Sequence, residues 1–224
     1  MTKVRTSRGP GRPARSENRD TRAQILRSSQ QLFAQTGFEA TSLRQIAVDA
    51  DVDLATVKYH FTDKASLYDE AYRIGHMRMV DAFSPLMVAV AAAESEADLR
   101  DALIRLGKGI TTFVSEQRPF VRLSLFRILE RADDETSVTH QLQAELIELI
   151  VLGFERAKSA AFARDVDIRA FFTFMLAGVP MWLVSTEVRS AMVGEPAVDG
   201  PSWGKRVEDF VTDLLLRTLM VRSD

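Results

Sequence analysis

Apolar side chains recur every three or four positions along most of this chain, the period of a helix with one buried face. Ile25, Leu26, Ser29, Leu32 and Phe33 fall on one such face, predicting a helix from near Asp20 to Gly37, where glycine supplies a C-cap. Ser42 followed by Gln45 has the spacing of a capping box, in which the hydroxyl accepts from the N3 amide and the glutamine reaches back. A short helix over 43–49 follows. Asp53 predicts a cap for a helix over 54–60, and Asp63 a cap for one that begins at Lys64.

Beyond these short elements the pattern stays helical. Breaks are expected near Ser84-Pro85, at Arg118-Pro119, over Ala132 to Thr136, over Arg164 to Asp167, and in the glycine- and proline-containing stretch from Gly194 to Ser202. The Ala-rich patch at 89–93 reads as good helix former. The last helix, from about Trp203, carries Val207, Phe210, Val211, Leu214, Leu215, Thr218 and Leu219 on one face. Nothing alternates with period two long enough to form a sheet, so the fold class is all-α. The expected organisation is a basic arm over 1–19, a three-helix head over 20–64 and a larger helical body over 65–224.

The head has the pattern of a helix-turn-helix, two helices crossing steeply over a short turn. Ala47 is small where the helices cross, Leu43 and Ile46 face the core, Val52 plugs the turn, and Val57 and Phe61 anchor the third helix. That leaves Leu54, Ala55, Thr56, Lys58, Tyr59 and His60 on its outer face. Hydroxyl, ammonium, phenol and imidazole groups beside small apolar ones suit phosphate contacts and the reading of base edges and thymine methyls. Lys64, in the first turn of the next helix, is expected to hold a phosphate together with that helix's first amides.

These residues resemble the head of the TetR family of regulators. Thr41-Ser42-Leu43, Ile46-Ala47, Val52, Thr56, Tyr59-His60-Phe61 and Lys64 match its motif in order and spacing, within a resemblance over about residues 20–72. The resemblance implies that Ser42, Thr56, Tyr59, His60 and Lys64 touch double-stranded DNA, mostly its backbone. Two positions depart from the family pattern: Asp51 stands where glycine is usual in the turn, and Lys58 where tyrosine is often found. The resemblance further implies a cytoplasmic homodimer on a palindromic operator, built through two last long helices at about 168–192 and 203–222. Candidate interface residues are Val207, Phe210, Val211, Leu214 and Leu215. It also implies a body cavity for a small-molecule effector, for which Phe113, Phe126, Phe154, Phe172, Met175 and Trp182 are the candidate lining. Repression is the family's common mode.

Charge sharpens this picture only when it is divided along the chain. The net −2 separates into +4 over residues 1–64 and −6 over the remainder, and residues 1–22 hold 7 basic against 2 acidic side chains. Arg5, Arg8, Arg12 and Arg15 give the arm the means to enter a narrow minor groove, or merely to solubilise the head. There are no cysteines and the three histidines lie far apart, so neither a metal site nor a cofactor is expected. Phe171 to Val184 is the most apolar run but falls short of a membrane span and contains Pro180, so it reads as a core helix. No nucleophile elbow, phosphate-cradling glycine loop or zinc-binding His-Glu motif is present, which argues against an enzyme. A helical enzyme or ligand carrier and a non-specific architectural DNA binder are the alternatives.

Overall fold

The computed structural model describes residues 15–130, 138–159, 163–184 and 201–221, and these form nine helices. In chain order they are α1 (Arg15–Ala40), α2 (Leu43–Asp49), α3 (Leu54–His60), α4 (Lys64–Ala91), α5 (Glu96–Glu116), α6 (Arg118–Glu130), α7 (Val138–Ser159), α8 (Ile168–Val184) and α9 (Pro201–Leu219). The protein is all-α: among the described residues the only extended pairing is an isolated bridge between Ala163 and Met220. None of their helices is long and apolar enough to cross a membrane.

The short helices have the bounds that their caps predict. Ser42 and Gln45 form the capping box of α2, with the Gln45 amide donating to Ser42 Oγ over 3.2 Å and the Ser42 amide to Gln45 Oε1 over 2.8 Å. Asp53 accepts from the Thr56 amide at 2.6 Å, and Asp63 from the Ser66 amide at 2.7 Å. Gly37 interrupts α1 with φ 78°, but the chain regains helical turns as far as Ala40. At the other end α1 begins five residues earlier than Asp20, in a stretch from Arg15 to Arg19 that holds no apolar residue and so leaves no periodic signature. Arg15 therefore belongs to the first turn of α1; Arg5, Arg8 and Arg12 lie outside the described residues.

Two of the expected breaks are found, between α5 and α6 and between α7 and α8, while those over 132–136 and 194–200 lie outside the described residues. At Ser84-Pro85 the expectation fails, and α4 runs through it. A proline disturbs only the turn before it, and here Ser84 Oγ donates to Val80 O at 2.7 Å while Met87 and Val90 beyond it are buried in the core. The chain turns instead after the Ala-rich patch, where Ser95 caps α5 by accepting from the Asp98 amide at 3.1 Å.

Packing gathers into two apolar clusters. One joins Ile25 and Phe33 of α1, Ile46, Val57 and Phe61, then the start of α4 at Leu67, Tyr68 and Tyr72; Phe113, Phe120 and Val121 of α5 and α6 complete it. The other joins the end of α4 at Met87 and Val90 to α5, α7, α8 and α9. The head's apolar packing thus continues past Lys64 into α4, α5 and α6.

Helix α9 packs along α5 at a glycine notch. A Cβ at Gly107 would run into Thr212 Oγ1 and come within 3.0 Å of the Thr212 Cα, a backbone atom that cannot rotate away. Gly107→Ala should therefore destabilise the fold by about 1–3 kcal/mol through overpacking, read as a lowered denaturant midpoint at unchanged m-value.

Candidate nucleic-acid interface

Helix α3 stands on its buried Val57, and Phe61 just beyond it is buried as well. The turn that positions it holds Asp51 at φ 49°, a left-handed conformation that aspartate tolerates and glycine adopts freely. Ala55 and Lys58 project outward, Tyr59 is 71% exposed, and Thr56, His60 and Leu54 are half-buried. Tyr59 and His60 meet edge to face at 5.2 Å between centroids. Burial, and secondarily the charge of Arg22, lower the His60 pKa, so the ring is neutral at physiological pH.

An open groove runs between the start of α1 and α3, lined by Asn18, Thr21, Asp53, Ala55, Thr56, Tyr59 and His60. Asn18 and Thr21 escape sequence reasoning because they lie in α1, 31 or more positions before Val52, the next residue along the chain that lines the groove. Arg22, one turn inward, sits over the Phe61 ring at 5.1 Å and pairs with Glu70 at 2.9 Å.

Two of the expected contact residues have intramolecular hydrogen-bond partners in the structure. Lys64 Nζ donates to Phe38 O at 2.8 Å and Glu39 O at 3.4 Å, and lies 4.2 Å from the Phe38 ring centroid. Its charge neutralises the carbonyl end of α1 and locks α4 to it, instead of projecting with the α4 amides toward a phosphate. Ser42 is exposed, but its hydroxyl is engaged with Gln45 Oε1 at 2.7 Å.

Residues 25–71, which hold α2, α3 and Lys64, match the family model described as bacterial regulatory proteins, tetR family. The head of the chain is thus similar to the heads of tetR-family regulators. A curated relative, the probable HTH-type transcriptional regulator YttP of Bacillus subtilis, is 28% identical over 102 residues, 46% of this chain and 47% of that protein. The chain thus spans about half the length of that curated relative. A TetR family transcription regulator from Marinobacter aquaeolei superposes with a TM-score of 0.64 at 16% identity, covering 93% of this chain and 100% of that one. A transcriptional regulator from Saccharomonospora viridis in complex with choline also reaches 0.64, at 16% identity over 91% and 100% of the two chains. At such identities these structures establish a shared fold.

In the body of the chain, a cavity opens where the two apolar clusters meet, with about 100 Å³ accessible to the centre of a water molecule. Phe113, Phe172 and Met175, three of the candidate lining residues, stand in its wall together with Tyr72, Phe120 and Gln143. Phe154 is buried against Phe172 at 5.3 Å, and neither it nor Phe126 reaches the cavity wall; the Trp182 side chain lies outside the described residues.

The candidate dimer face divides in the same way. Val207, Val211 and Leu215 are buried in the protomer's own core and Leu214 is half-buried, while Phe210 is exposed. An apolar stripe says that a face is covered, and here α5 of the same chain covers it. Exposed apolar side chains stand elsewhere, at Phe174 (70% exposed) and Met181 of α8. The signal for them was that α8 is apolar on all sides, more than one core can bury.

The cap of α3 gives a test. Hydrogen bonding to Thr56 lowers the Asp53 pKa below its ordinary 3.8, so the charged cap stabilises α3 above that value and is lost as pH falls through the lower folded value. Asp53→Ala should speed amide exchange at Thr56 at neutral pH, Asp53→Asn should restore protection, and acidifying the wild type below the folded pKa should approach the alanine result.

Proposed function

We propose that this protein is a transcription regulator that binds a palindromic operator as a homodimer in the cytoplasm and acts as a repressor released by a small-molecule effector. The observation that carries the reading is a capped recognition helix, α3, rigidly seated on the head and presenting Ala55, Lys58 and Tyr59 outward. Thr56 and His60 flank the adjoining groove. Such a face enters a major groove, with hydroxyls and amides fixing register on phosphates and the outward side chains meeting base edges. Residues 25–71 of the tetR-family match cover the head from within α1 to the start of α4. The body cavity, and a relative of the same fold in complex with choline, support an effector-binding role for the body.

Selection of bound sequences from random DNA at near-physiological salt tests the reading directly. The expected result is an enriched palindrome; binding that enriches no sequence and vanishes in salt would favour an architectural binder instead. Within the head, Lys58 is the phosphate-reaching cation and Lys64 the internal one. Lys58→Ala should weaken binding across sequences and reduce the slope of log K against log salt by about one. Lys64→Ala should chiefly lower the melting temperature of the free protein.

For the dimer, Phe174 and Met181, seven residues apart on α8, form an exposed apolar strip that a twofold partner would cover. Phe174→Glu should convert a dimer to a monomer in sedimentation velocity, while leaving the helical circular dichroism signal unchanged.

A further inference from the structure

The body cavity is an apolar chamber with one polar end. Phe83, Phe113, Phe120 and Tyr72 form a continuous aromatic wall, with successive centroids 5.5, 6.1 and 5.7 Å apart. Among the described residues lining it none is charged, and the side chains able to hydrogen-bond are Tyr72, Ser124 and Gln143. Ser124 Oγ donates within its own helix to Phe120 O at 2.9 Å, and the Tyr72 hydroxyl is hydrogen-bonded with Gln143.

Directly behind Tyr72 lies Arg127, 1% exposed, with its guanidinium carbon 4.9 Å from the Tyr72 ring centroid and 4.6 Å from that of Tyr68. Its neighbours on α6, Ser124 and Ile128, both line the cavity. Nε donates to Thr139 Oγ1 at 2.7 Å and Nη2 to Asp69 Oδ1 at 2.7 Å. The third nitrogen, Nη1, is buried with no hydrogen-bond partner among the described residues. An unused donor on a buried cation is costly, and an anionic acceptor satisfies it best.

We propose that the cavity takes a small apolar carboxylic acid, its carboxylate at the Tyr72–Gln143 end beside Arg127 and its apolar body along the aromatic wall toward Phe172 and Met175. The assignment rests on the reading of the body as an effector-binding unit. At roughly 10–15 Å³ of accessible volume per water-sized position, the cavity holds about seven to ten non-hydrogen atoms, the size of a single-ring aromatic acid or a medium-chain fatty acid. Aromatic faces also attract cations, but among the described residues no carboxylate lines this chamber, and the buried charge beside Tyr72, Arg127, is positive. An amine is therefore disfavoured.

The test compares octanoate, 1-octanol and octylamine, matched in chain length, by calorimetric titration of the full-length protein at neutral pH without DNA. Octanoate should bind at least tenfold more tightly than octanol, and octylamine most weakly. Arg127→Lys should reduce the preference for octanoate over octanol toward parity while octanol binding persists. Because Arg127 is buried and its variant can fail to fold, Tyr72→Phe and Gln143→Met provide the second measure, and each should reduce the same ratio. Octanol or octylamine binding as tightly as octanoate in the wild type overturns the acid assignment and leaves an effector cavity standing. Absence of binding by all three overturns the assignment and counts against the cavity reading itself.

Discussion

A helix that buries one end in one core and the other end in a second cannot shift in either without shifting in both. Helix α4 is such an element: 28 residues, or about 42 Å at 1.5 Å per residue. Leu67, Tyr68 and Tyr72 belong to the cluster under the head, and Met87 and Val90 to the cluster under the body. Pro85 lies within it without ending it. Midway, Gly75 lets the Phe120 ring of α6 lie so close that a Cβ would run into it, and Arg127 ties α4 to α6 and α7 through Asp69 and Thr139.

The cavity sits where this rod passes from one cluster to the other. Tyr72, Phe113, Phe120 and Val121 both line it and complete the apolar packing beneath α2 and α3. Any occupant therefore bears on side chains that also seat the head, and differential contacts of this kind are what a shift between two conformational populations requires.

Legibility in the sequence followed the range of the physics. Caps are local, and Ser42, Asp53 and Asp63 announced the starts of α2, α3 and α4 to the residue. Ser95 with Asp98 carried the same kind of signal for α5, masked by the helix-forming alanines before it. Periodicity identified apolar faces but not their partners: Val207, Val211 and Leu215 turned out to pack inside the protomer, whereas Phe174 and Met181 were left outside. Lys64 was legible as a cation at the right position, but the backbone carbonyls that engage it, 25 and 26 residues earlier, are brought there only by the fold.

That engagement has a consequence for how the head meets a ligand. With Lys64 fastening the end of α1, Arg22 held over Phe61, and each short helix closed by its own cap, the reading surface is already assembled in the free protein. Docking such a surface demands little loss of backbone freedom. On the proposed function, recognition resembles a rigid key testing grooves, in which a mismatched sequence is rejected for its shape at first encounter rather than after a slow folding step on the DNA.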